Sequence, residues 1–181
     1  MLKPAAEGGA GRTRPAASAA AVAVTGLYTE HAVNLLRLAV VMLGDRAAAE
    51  DVVQDAFCAL YRRWQFLSDQ GKALAYVRSA LLNRCRSQLR SRIRAQRHAP
   101  PGAASYGPSA EDDALLAEEH RQVLAALRML PPRQREALVL RFYLGLPEPD
   151  IAASMGIGAG TVKSTTSRAL AALGKLLKEH T

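Results

Sequence analysis

Between Leu27 and Leu43 apolar residues fall at helical spacing, through Leu27, the His31/Leu35 step, Leu38 and Met42, and Gly44-Asp45 closes the run. A second helix is expected over about 47–64, where Val53, Phe57, Leu60 and Trp64 form an apolar seam. Ser68-Asp69-Gln70-Gly71 reads as a turn. A third helix, about 73–97, begins apolar with Leu74, Val77, Leu81 and Leu82 and finishes in arginines. Then comes APPGAASYGPSA, residues 99–110, with three prolines, two glycines and no charge, which is linker composition. Beyond it, 115–130 and 133–144 read as helices parted by Pro131-Pro132, and Gly145 ends the second. A short helix near 148–155, the turn Gly156-Ile157-Gly158 and a last helix over about 160–178 complete the chain. The pattern predicts an all-α fold of two helical lobes joined by a flexible linker. Boundaries are expected at 27–98, 99–112 and 113–181, behind a disordered, low-complexity leader at 1–26.

The C-terminal lobe carries a helix-turn-helix skeleton in Ile151, Ala152, Met155, Gly156, Ile157 and Val162. A small residue suits a close helix crossing, and a Gly can take the left-handed turn. Projecting the last helix at about 100° per residue puts Val162, Leu170, Leu173 and Leu177 on one side with Ala169 and Thr166. Lys163, Ser164, Ser167 and Arg168 share the other side, with Thr165 at the margin. Cations for phosphate or guanine beside hydroxyls for base edges suit a major groove. A merely solvated amphipathic helix is the alternative.

Composition sharpens this picture through where the charge lies. The 181-residue chain has a net charge of +8 and a pI near 10.0. Residues 27–98 hold 12 cations against 6 acids, whereas residues 111–181 hold 9 of each. Arg78, Arg84, Arg86, Arg90, Arg92, Arg94 and Arg97 follow one another with no acid between them. Membrane-surface binding would want large apolar residues opposite those cations, and only Leu89 and Ile93 qualify, so nucleic acid is the better fit. Asn83 and Gln88 in the same run can hydrogen-bond base edges. Nearby Trp64, Phe66 and Tyr76 could stack on opened bases, although as core residues Trp64 and Tyr76 need no such role. On the preceding helix Asp51, Gln54, Asp55 and Arg62 lie opposite the apolar seam. Acids gathered there, in a basic lobe, suggest a protein partner rather than DNA.

With only Cys58 and Cys85, and no ligand spacing, a reduced cytoplasmic chain without a metal or cofactor is expected. No run is apolar and long enough to span a membrane. No nucleophile–base pair or phosphate loop marks an enzyme.

GDR-AAEDVVQDAF and LPPRQREALVLRFYLGL, in this order and with this linker between them, resemble the extracytoplasmic-function sigma factors of bacterial RNA polymerase, in particular the small actinobacterial SigE-like group. The resemblance covers both lobes and implies two functional regions, region 2 at 27–98 and region 4 at 113–181. It implies that Asp51, Gln54, Asp55 and Arg62 dock on the β′ clamp helices of core RNA polymerase. It also implies that Asn83 and the loop at about 65–72 capture a flipped base of the −10 element, with Arg84, Arg86 and Arg90 on the backbone. The C-terminal lobe would dock on the β flap and read the −35 element of promoter DNA through Lys163, Ser164, Ser167 and Arg168. An anti-sigma factor is a further partner that the family admits. The rival reading from the residues alone is a stand-alone helix-turn-helix regulator binding operator DNA. Two departures stand out: Pro147 and Gly158 occupy places where the family often has Ser before each helix of the motif, and in the third helix LLNRCRSQLR replaces a more usual apolar-acidic pattern.

Overall fold

The computed structural model describes residues 14–98 and 118–179. All secondary structure among them is helical. The N-terminal lobe holds α1 (Arg14–Leu43), α2 (Arg46–Arg63) and α3 (Ala73–His98). The C-terminal lobe holds α4 (Glu118–Met129), α5 (Pro132–Leu138), α6 (Glu148–Met155) and α7 (Ala159–Glu179). The expected linker, residues 99–112, lies outside the described residues, as do residues 1–13.

The described part of the expected leader differs from a disordered segment. Residues 14–26 are not disordered but form the first turns of α1, burying Ala20 and Val24. An Ala-rich stretch costs little to wind into a helix, and this one continues a helix already anchored by Leu35, Leu38 and Met42. Gly44 ends α1 with a left-handed φ of 67°, and its N–H reaches the Val40 carbonyl at 2.7 Å. Asp45 then caps α2, its Oδ1 accepting from the Ala48 N–H at 3.1 Å. The seam of α2 is buried as predicted, with Val53, Phe57, Leu60 and Trp64 all facing inward. Leu81 and Leu82 of α3 close the core from the other side. Each such side chain contributes roughly 1.5–3 kcal/mol of burial free energy.

In the C-terminal lobe α5 does not run on as a regular helix to 144. It continues over Val139–Tyr143 as a π-helical segment, marked by the Leu144 N–H on the Val139 carbonyl at 3.1 Å. The wider turn leaves Val139 and Leu140 buried while Phe142 and Tyr143 face outward.

The lobes are packed together rather than held apart. Ala137, Val139, Leu140, Ile151, Met155 and Val162 share one apolar cluster with α1, α2 and α3. Polar contacts follow the same seam. Arg135, almost fully buried, donates to the carbonyls of Leu127 and Leu130 at 2.9 and 3.3 Å, to that of Arg128, and across the lobes to that of Met42. From the other lobe, Arg92 donates to the Leu43 carbonyl at 2.9 Å. The last carbonyls of α1, which have no helical partner, are thus met by one arginine from each lobe.

Candidate nucleic-acid interface

The helix-turn-helix is built as the spacing predicts. Gly156, at φ 67° and ψ 42°, ends α6, and its N–H and that of Ile157 both reach back to the Ala152 carbonyl, the latter at 3.1 Å. Pro147 supplies no capping side chain, but its carbonyl accepts from Asp150 and Ile151 at 3.0 and 3.1 Å, and Glu148 and Asp150 sit favourably in the first turn. Gly158 opens α7 in the same way, accepting from Thr161 and Val162 at 3.0 and 3.1 Å. The missing serines therefore leave the motif intact.

On α7, Lys163, Ser164, Ser167 and Arg168 are all exposed on one face. Ser164 Oγ donates to the Thr161 carbonyl at 3.1 Å, and Arg168 Nε to the Ser164 carbonyl at 3.2 Å. Both contacts lie within the helix, so neither ties the face to the rest of the protein. The inner face is rotated from the projection by about one residue. Val162, Thr165 and Ala169 are buried, Thr166 is only half-buried and Leu170 is exposed. Thr165, not Thr166, is the hydroxyl in the core.

On α2, Asp51, Gln54, Asp55 and Arg62 are exposed opposite the buried seam. Gln54 and Arg62 border an apolar cleft of about 420 Å³, shared with Ala21, Val24 and Tyr61. Trp64 is buried and Tyr76 half-buried, whereas Phe66 is 77% exposed on the loop after α2, which leaves it as the aromatic there able to stack on a base. The side chain of Asp69 shapes that loop by accepting from the Gly71 N–H at 2.9 Å.

The arginines of α3 fare differently from the cations of α7. Arg90 is exposed, but Arg84 donates to Asp55 at 2.7 Å and Arg92 to Asp45 at 2.8 Å. Arg86, expected on the DNA face, is turned into the seam between the lobes with its side chain only 11% exposed. There its Nη1 donates to Glu136 Oε2 at 3.4 Å, and its Nη2 donates to Asn83 Oδ1. Arg133 reaches the same Glu136 oxygen at 3.4 Å and the Met155 carbonyl at 2.8 Å. Burial raises the Glu136 carboxyl above its ordinary value, with Arg86 and then Arg133 pulling against it. Burial lowers Arg86, with Glu136 opposing. Beside them burial, reinforced by Glu136, pushes the Cys85 thiol up to about 12. Glu136 and Arg135 escaped the sequence reading. Their signal was a charged pair directly before the apolar run ALVL, one turn from the buried Val139 and Leu140.

A second unanticipated surface is an apolar cleft of about 300 Å³ where Val41 of α1 meets Leu127, Leu138, Phe142, Tyr143 and Leu173 of the C-terminal lobe.

Comparison with known proteins follows the two lobes. The family model for Sigma-70 region 2 matches residues 27–95, and that for Sigma-70, region 4 matches residues 120–173. The RNA polymerase sigma-E factor of Streptomyces coelicolor is 36% identical over 140 residues, 77% of this chain and 77% of that protein. The ECF RNA polymerase sigma factor SigL of Mycobacterium tuberculosis is 32% identical over 173 residues, 93% of this chain and 96% of that protein. The chain belongs to the extracytoplasmic-function sigma factors. Solved structures agree in fold. The sigma factor RpoE in complex with the anti-sigma factor NepR from Bartonella quintana has a TM-score of 0.65 at 26% identity, covering 84% of this chain and 97% of that one. CnrH in complex with the cytosolic domain of CnrY has a TM-score of 0.68 at 25% identity, covering 91% and 98%. As a sigma factor the chain directs RNA polymerase to promoters, and core polymerase and promoter DNA are its partners. Among the described residues no helix is long and apolar enough to cross a membrane.

Proposed function

We propose that the two lobes divide promoter recognition, region 2 over 27–98 opening the −10 element and region 4 over 113–181 reading the −35 element. The observation that carries this reading is the exposed outer face of α7, where Lys163, Ser164, Ser167 and Arg168 stand together behind a Gly-turned helix-turn-helix. In region 2, Asp51, Gln54, Asp55 and Arg62 form the polymerase-docking face against the β′ clamp helices. Asn83 contacts an unpaired −10 base, with Phe66 as a stacking neighbour, and Arg84, Arg86 and Arg90 hold the backbone. The apolar cleft around Phe142 and Tyr143 supports docking on the β flap. The protein works in the cytoplasm and has no catalytic activity of its own; an anti-sigma factor, as in the complex of RpoE with NepR, is a further partner.

The test is run-off transcription with core polymerase. The wild-type chain should start transcripts, and Asp51→Lys with Asp55→Lys should abolish core association while helicity is unchanged. Normal co-purification of the double variant with core removes the docking role. Operator-type binding by the chain alone, with no transcript from the holoenzyme, would favour the stand-alone regulator.

A further inference from the structure

The first turns of α1 do more than lengthen a helix. With α2 they wall an apolar cleft of about 420 Å³, to which α1 contributes Ala21, Val24 and Tyr28 and α2 contributes Phe57, Cys58 and Tyr61. Tyr28 meets Phe57 edge-on with ring centroids 5.0 Å apart, which holds the α1 wall against α2. Val24 and Phe57 are buried, whereas Tyr28 and Tyr61 stay 47% and 46% exposed. Half-exposed aromatic rings over a buried apolar floor, with Arg62 at the edge, have the composition of the centre of a protein–protein interface. Cys58 ties the cleft to the acidic face of α2. It lies one helical turn from Gln54, Asp55 and Arg62, all exposed, so the cleft runs on directly from the surface that carries Asp51 and Asp55. Ala21 and Val24 precede residue 27, where the match to Sigma-70 region 2 begins, so this wall is an addition to the region the family shares.

We propose that the first turns of α1 extend the polymerase-docking face, and that core RNA polymerase seats a large apolar side chain in the cleft between α1 and α2. This rests on the assignment of Asp51 and Asp55 to core docking. The charge beside the cleft sets the chemistry of what enters it. Asp51 and Asp55 border one side, so the apolar anchor comes from a polymerase segment with cations next to it. The two parts of the surface then divide the work. The acids orient the partner and speed its arrival, while the anchor, taken out of water between Tyr28 and Tyr61, supplies most of the affinity. A docking face made of the acids alone would be open to solvent on all sides and would give each ion pair little strength.

The experiment uses the full chain and core RNA polymerase, with Cys58 as reporter. Cys58 is exposed and Cys85 buried, so N-ethylmaleimide at neutral pH should label Cys58 alone. Labelling is followed on the Cys58 peptide by mass spectrometry. An excess of core should slow it by about tenfold or more, and promoter DNA alone should leave it unchanged. Thr25 lines the cleft from an exposed position on α1, so Thr25→Trp fills the cleft and should weaken core binding about tenfold. Ala19→Trp adds the same bulk at an exposed position roughly half a turn round α1 from Ala21 and Tyr28, and should bind core as the wild type does. The proposal is overturned if core leaves the labelling rate unchanged, if Thr25→Trp binds core normally, or if Ala19→Trp loses as much. Protection that grows with the concentration of the chain itself, without core, would give the cleft to a second copy and overturns it equally. Should Thr25→Trp lose its helicity, the labelling rate decides alone. Failure of the underlying assignment shows separately, as normal core binding by Asp51→Lys with Asp55→Lys. If that double variant loses core while Thr25→Trp keeps it, the acids dock and the cleft does not.

Discussion

Helices α3 and α7 both carry cations on an outward face, yet they hold them in different states. On α7 the contacts of Ser164 and Arg168 stay within four residues, and the whole reading face is open to solvent. On α3 the partners come from far along the chain: Arg84 pairs with Asp55, Arg92 with Asp45 and Arg86 with Glu136. A charge present in a sequence is therefore not a charge available to a ligand. The exposed Arg84–Asp55 pair costs little to exchange, on the order of 0–1 kcal/mol. The buried Arg86–Glu136 pair differs in kind, since parting it while the lobes stay closed would strand a carboxylate in an apolar seam. The protein thus leaves the cations of α7 open to solvent and ties up most of the paired arginines of α3 with its own acids.

Three measurements bear on that contrast. The largest effect should come from the open helix. In the holoenzyme Arg168→Ala should cost about 1–3 kcal/mol and relax preference at one −35 position, as expected for loss of a bidentate base contact. Lys163→Ala should act more evenly across sequences and flatten the salt dependence, as loss of a phosphate contact does. Competition among single-base −35 variants separates the two. Wild-type preferences in both variants would mean that the exposed face of α7 does not enter the groove.

What could be read from the sequence divides along the same line. The helix-turn-helix was legible because its determinants are local: Gly156 must be left-handed, and Ile151, Met155 and Val162 must converge across it. The α2 seam was legible for the same reason. The pairing of α3 arginines was not, because Asp45, Asp55 and Glu136 reach them only once the chain has folded, over separations of 47, 29 and 50 residues. Thr165 and Thr166 exchanged roles because neighbouring positions differ by only about 100° around a helix, so a small error of phase moves a side chain from margin to core. The first turns of α1 were read as a bare leader because Ala-rich sequence has no strong apolar period. It becomes a helix by joining one.

The masked side of the contrast should respond to pH. Glu136 faces Arg86 and Cys85 from α3 and Arg133 and Arg135 from α5, and burial outweighs the cations in raising its carboxyl. Between the ordinary carboxylate value and the raised one, the folded chain binds more protons than the unfolded chain. Stability therefore falls as pH rises through that window and levels off above it. Denaturant midpoints followed from acid to neutral pH should show this decline in the wild type, and Glu136→Gln should remove it. An identical slope in both proteins would assign the decline to other groups and leave the seam indifferent to protonation.

The smallest effect belongs to the entry of α7. Gly158 precedes the helix with no capping side chain, although its carbonyl already accepts from Thr161 and Val162. A Cβ there would meet nothing within 4 Å, and its φ is not positive, unlike that of Gly156. A serine can therefore stand at Gly158 unstrained and offer its hydroxyl oxygen to an unpaired N–H of the first turn. Gly already serves tolerably at this position, so Gly158→Ser should stabilise the chain by only about 0.3 kcal/mol. The −35 preference should stay as it is, because the helix axis is set by the buried Val162, Thr165 and Ala169 and not by the cap. A rise in the denaturant midpoint with unchanged promoter choice meets both expectations. A changed preference would show that the reading face is aimed by its first turn, which would make α7 a less rigid reader than its buried side implies.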